Sequence, residues 1–169
     1  MSQTYLFLDT EWADWEGRDL VSLALVNHRT GATFYAERDP LPTNPTEFVR
    51  EVVYPLLERG EFALSDLQFT QALRAFLAEA PHPVVLYDYP NDGALLLTAL
   101  SGFNLLPSEV AECVAPPANL RSTLLEDDQV AKAVEDYFAE RSVERARRHH
   151  ALVDARALHA AWLSVGQLP

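Results

Sequence analysis

The sequence has little of what would cross-link a chain, anchor it in a membrane or draw it to polyanions. Its single cysteine, Cys113, excludes an internal disulfide and leaves no Cys-x-x-Cys pair for a zinc site, so the chain fits a reducing compartment. No apolar run approaches a transmembrane span. The N-terminal stretch "MSQTYLFLDTEW" lacks a basic leading region and is interrupted by Asp9 and Glu11, a pattern unlike a signal peptide. Basic charge is scarce: 13 Lys and Arg against 25 Asp and Glu give a formal charge of −12. That balance argues against a broad basic surface gripping long nucleic acid, and leaves room for a small or metal-bridged anionic substrate. The expectation is a cytoplasmic protein with no membrane partner.

With 169 residues, 49% of them hydrophobic, the chain can bury one sizeable core, which predicts a single domain over 1–169. "TYLFLDT" (4–10), "LVSLALVN" (20–27) and "ATFYAE" (32–37) are short apolar runs with short connections, predicting three antiparallel strands. Residues 45–60 place Val49, Val52, Val53, Leu56 and Leu57 at helical spacing, with Pro45 in the first turn and Pro55 kinking or ending the helix. A capping-box pattern, Ser65-x-x-Gln68, opens a helix over 65–80 with Phe69, Leu73, Phe76 and Leu77 on one face.

"PVVLYD" (83–88) predicts a buried strand, and 90–100 a helix begun at Pro90. The stretch 101–126 is irregular, with a short strand expected near "AECV". Helices come next at 127–140, with Val130, Val134, Tyr137 and Phe138 inward, and at 151–164, with Ala151, Leu158, Ala161 and Trp162 inward and Leu152 beside them. The order predicts an α/β domain with a mixed central sheet flanked by helices.

Three acidic clusters sit at element ends. Asp9 and Glu11 in "LFLDTEW" share one face of a strand end. Like charges there repel unless a cation lies between them, and paired carboxylates suit magnesium or manganese. Alone, the pair reads first as a solvated strand end and only second as a metal site. In "YDYPNDGALL", Asp88 ends a strand, where a turn former is common, and Asp92 lies in a first helical turn, where the macrodipole favours acid. In "RRHHALVDARALHAAW", two histidines precede Asp154, which begins a helix; alone this too reads as helix-end electrostatics.

Taken in order, "FLDTE", "YPNDGALL" and "HHALVDARAL" resemble the DEDD superfamily of 3′→5′ exonucleases on the ribonuclease H-like fold, in the branch whose last motif carries a histidine. The small bacterial exoribonucleases of that branch share "DTE" and a final "H-x-ALVDA" element, and the likeness spans nearly the whole chain. It implies that Asp9, Glu11, Asp92 and Asp154 bind two divalent cations, Mg2+ or Mn2+, with His149 as general base. The aspartate followed by "GALL" matches the middle motif, so Asp92 is taken before Asp88, which stays open as a ligand or supporting group. The spacing His-x4-Asp selects His149; His150 falls where relatives often carry a polar residue, and its truncation is expected to be mild.

Phosphodiester hydrolysis needs an activated water, neutralised phosphate oxygens and a stabilised leaving oxygen, which two cations roughly 3.5–4 Å apart supply. A histidine with an ordinary pKa of about 6.5 accepts the water's proton near neutrality. The expected partner is a short or single-stranded nucleic acid, RNA rather than DNA, degraded to nucleoside 5′-monophosphates. The rival expectations are a ribonuclease H-like endonuclease and a noncatalytic nucleotide- or partner-binding domain.

Trp12 is a candidate stacking surface for the terminal base and equally a core residue. From resemblance alone, the backbone of Thr10 approaches the terminal nucleotide. Arg141, Arg145 and Arg148 are expected on one helical face, with Arg147 beside the motif, as phosphate contacts or a salt-bridged surface. Relatives are often homodimers, which makes 101–126 a candidate interface.

Overall fold

The computed structural model of the chain describes residues 3–166. Strands β1 (Thr4–Trp12), β2 (Leu20–Asn27) and β3 (Thr33–Arg38) pair antiparallel in chain order, as the apolar runs predict. A two-residue strand, β4 (Ala63–Leu64), lies parallel to β3. On the other side β5 (Pro83–Tyr87) runs parallel to β1, and β6 (Arg121–Leu124) parallel to β5. The result is a six-stranded mixed sheet in the order β4-β3-β2-β1-β5-β6, in which β2 alone runs opposite to the rest.

Helices cover both faces. Helices α1 (Asp66–Ala78) and α2 (Pro90–Ser101) pack on one, where Phe69, Leu73, Leu77, Leu95 and Leu96 meet Leu6, Leu8, Leu23 and Leu25. Helices α3 (Asp128–Glu140) and α5 (Ala151–Ser164) pack on the other, where Val130, Ala151, Ala155, Leu158 and Trp162 meet Phe7, Ala24, Val26 and Leu86. A short α4 (Ser142–Arg145) joins α3 to the approach of α5. Double coverage explains why β2 is buried along its whole length and its sequence is apolar without alternation. No helix among the described residues is long and apolar enough to cross a membrane.

The expected caps and faces are present: the Ser65 hydroxyl accepts the Gln68 amide at 3.3 Å, and Gln68 accepts the Ser65 amide at 3.1 Å. Three expectations fail. The 45–60 helix is a short segment capped by Thr46 rather than opened by Pro45, with a wide π turn at Val49–Val53 and a 3-10 turn at Tyr54–Leu56. Pro55, with no amide to donate, ends the helical segment in that 3-10 turn, as the sequence leads one to expect; Val49 and Val53 are buried while Val52 is exposed. The strand expected near "AECV" is instead β6, "RSTL", an edge strand exposed over three of its four residues. Finally, Arg141, Arg145 and Arg148 share no helical face, because Arg141 is extended between α3 and α4 and turns lie between α4 and α5.

Candidate metal centre

β1 and β5 are parallel neighbours, with Phe7 level with Leu86, and β1 runs on to Trp12 past the end of β5; this C-terminal part of β1 and the segment leaving β5 help to wall a cleft of about 480 Å³. Asp9 and Glu11 extend from the last pleats of β1, opposite Ala24 and Ser22 of β2. Beyond Glu11 the register slips, so that Trp12 faces Leu20, and the strand bends at the rim of the cleft. Asp88 comes directly after β5, and Asp92 sits in the first turn of α2, which Pro90 starts with its fixed φ. Asp154 lies in the first turn of α5 and His149 just before it. All six of these side chains line the same cleft.

Their donor atoms fall into two groups. One oxygen each of Asp9, Asp88 and Asp92 lies within 4.8 Å of the others, and so do donor atoms of Glu11, His149 and Asp154. Among the described residues several carboxylate oxygens of these groups have no partner: Asp9 Oδ2, Asp92 Oδ2 and Asp154 Oδ1 are buried and accept no hydrogen bond. Asp92 is 1% exposed. Its Oδ1 accepts the buried Thr10 hydroxyl at 2.6 Å, so the Thr10 side chain serves the cluster.

Burial first, and then mutual repulsion, pushes the Asp9 and Glu11 carboxyls well above the usual range. Burial likewise raises Asp92 and Asp154 to about 7 each, despite the hydrogen bonds that Thr10 gives the one and the His149 amide gives the other. Such a set of hard, crowded, under-bonded oxygens fits divalent cations of the magnesium and manganese type.

His149 is held in an unusual backbone conformation, φ 74°, which a non-glycine residue adopts only under constraint. The constraint is visible: its amide donates to Asp154 Oδ2 at 3.0 Å, and its ring meets Phe48 edge-to-face at 5.0 Å. Burial and the neighbouring Arg148 guanidinium lower its pKa, so the imidazole is neutral at pH 7 and can accept a proton. His150 has a different place. It is 2% exposed, stacks on Tyr35 at 4.6 Å and approaches Glu58 at 3.4 Å, outside the cleft.

Among the described residues Arg148 is the only arginine on the cleft wall, and it is engaged: it grips both oxygens of Glu135 at 2.9 and 2.5 Å and lies over the Phe138 ring. Arg147 pairs with Glu58, and Arg141 with Glu140. The salt-bridged alternative describes these three better than a phosphate-binding row. Trp12 packs on the α1/α2 core, as its core reading expects, and also stacks on Tyr89 at 5.4 Å at the cleft wall.

Three aromatic residues of the cleft were not legible as such in the sequence. Phe48 comes from the misassigned 45–60 segment, whose Thr46 amide bonds to the Ala13 carbonyl just after β1. Tyr89 partners Trp12. Trp15, 89% exposed, tips the β1–β2 loop, and Asn91 pins that loop by donating to the Glu16 and Gly17 carbonyls. Aromatic residues in polar loops were the one available signal. No family model matches the chain, and no curated protein matches it.

Proposed function

We propose that this chain is a metal-dependent 3′→5′ exonuclease of the DEDD superfamily, histidine-containing branch, on a ribonuclease H-like fold. The observation that carries the reading is the convergence of Asp9, Glu11, Asp92, Asp154 and His149, from three distant stretches of sequence, on one cleft beside the C-terminal part of β1 and the turn that leaves β5. The sheet order, with β2 alone reversed, supports the fold assignment.

When bound, two divalent cations, Mg2+ or Mn2+, offset the phosphate charge, acidify water and stabilise the leaving oxygen. Asp9, Glu11, Asp92 and Asp154 hold them. His149, neutral at pH 7 and beside Glu11 and Asp154, takes the proton from the attacking water. Trp12, stacked on Tyr89, and Phe48 across from His149 offer faces for the terminal base. Stacking tolerates any base, and a wall with one arginine already paired to Glu135 favours a short, single-stranded end over duplex. The reading retains RNA as the preferred polymer and nucleoside 5′-monophosphates as products.

A panel of matched 5′-labelled RNA and DNA oligonucleotides, with Mg2+ or Mn2+, tests it. The expected result is a ladder shortening by single nucleotides from the 3′ end, abolished in Asp9→Ala. Internal fragments would mean an endonuclease, and inactivity with both metals a binding domain. Cleavage undiminished in Asp9→Ala would place the activity elsewhere.

A further inference from the structure

We infer that Asp88 is a fifth metal-binding carboxylate, holding one of the two cations together with Asp9 and Asp92, an inference that rests on the metal site proposed above. Its oxygen, one of Asp9 and one of Asp92 lie within 4.8 Å of one another, separate from the group of Glu11, His149 and Asp154. Three carboxylates at that spacing repel strongly without a cation between them. Among the described residues Asp88 forms no ion pair and no hydrogen bond with another side chain; Arg148 attracts it across the cleft but is itself gripped by Glu135, and burial still holds the Asp88 carboxyl above its ordinary range.

A second observation points to a ligand independently of the crowding. Asp92 is 1% exposed, its Oδ1 is taken by Thr10, and its Oδ2 stays buried in the cleft without a partner, as does Asp9 Oδ2. A buried carboxylate oxygen that accepts nothing is expensive, and a cation shared with the carboxylates beside it removes the deficit. The turn from β5 into α2 fixes Asp88 for this: the Asp92 amide bonds to the Tyr89 carbonyl, and Pro90 stiffens the residues between. Asp88 is exposed where Asp92 is buried, so the three form a site open on one side. That open side makes the Asp88 group an exchangeable cation position.

Mn2+ titration of the metal-free protein at pH 8, followed by electron paramagnetic resonance and calorimetry, tests this without any turnover. Wild type is expected to bind two Mn2+ per chain, one more weakly. Asp88→Asn keeps the shape of an exposed side chain and is expected to weaken the second ion at least tenfold, leaving the first unchanged and the thermal midpoint within a degree or two. Asp88→Glu, which keeps a carboxylate, is expected to recover part of the loss. Two Mn2+ bound equally well by wild type and Asp88→Asn would overturn the role of Asp88 while leaving the nuclease reading intact. Wild type that binds no Mn2+ would overturn that reading itself.

Discussion

Two adjacent histidines divide the work at the start of α5. His149 faces the acidic cleft in a constrained conformation, whereas His150 is packed under it against Tyr35. Truncating His149 to alanine is expected to lower kcat by roughly 10²- to 10⁴-fold while leaving Mn2+ binding largely intact. His150→Ala leaves the cleft residues in place, so its effect on turnover is expected to stay mild, but its burial makes it costly in stability, by about 2–3 kcal/mol, or roughly 4–12 °C in Tm for a chain of this size. Steady-state kinetics beside thermal melts of both variants separates the effects. Loss of turnover in folded His150→Ala with near-normal His149→Ala would move the catalytic register by one residue. The spacing His-x4-Asp in the sequence distinguishes the two residues. It does not reveal the burial of His150, which depends on Tyr35 of β3 and on Glu58, far along the chain.

At the scale of elements, the turn from β5 into α2 carries the most constraint per residue. A Cβ on Gly93 would come within 2.5 Å of the Tyr87 hydroxyl and 2.6 Å of its ring, so the first turn of α2 closes against the end of β5 only because position 93 is bare. Gly93→Ala is expected to destabilise by about 1–3 kcal/mol through overpacking, and Tyr87→Ala in the same chain to restore most of that difference. Denaturant unfolding of the single and double variants reads it; additive losses would show that the two positions do not meet.

The same turn explains what was legible and what was not. Strand parity put Asp9 and Glu11 on one face from the sequence alone, and helical spacing placed the inward faces of α1, α3 and α5. A choice between Asp88 and Asp92 was forced by treating the middle motif as one residue, whereas the fold brings both to the cleft because one ends a strand and the other begins the next helix. Strand β4 is too short, at two residues, to read, and the short strand of 101–126 is misplaced because β6, exposed at the sheet edge, has no apolar period to locate it.

Over the whole molecule, the acidic cluster sets how stability depends on pH. The carboxyls of Asp9, Glu11, Asp92 and Asp154 have folded-state pKa values raised from about 4, the last two to about 7, so the native chain holds more protons than the unfolded one between those limits. Stability of the metal-free protein therefore falls as pH rises through that window. Burial lowers His28, His149, His150 and His159, which acts oppositely, but only below the ordinary histidine pKa of about 6.5. Between about pH 6.5 and 7.5, around the value of about 7 to which Asp92 and Asp154 are raised, the carboxylates dominate. In chelator, Tm is expected to rise by several degrees as pH falls across that range, and saturating Mn2+ is expected to flatten or invert the trend. A flat metal-free profile would mean that these carboxyls ionise without hindrance.

The placement of the tryptophans gives the molecule a built-in optical readout. Trp12, stacked on Tyr89, and Trp15, almost wholly in solvent, border the cleft, while Trp162 is 4% exposed and packed against Tyr5 and Phe7. Intrinsic emission thus divides into a component in contact with whatever occupies the cleft and one that reports only on the α5 core. Loading of the site and integrity of the fold can be followed separately in one unlabelled sample.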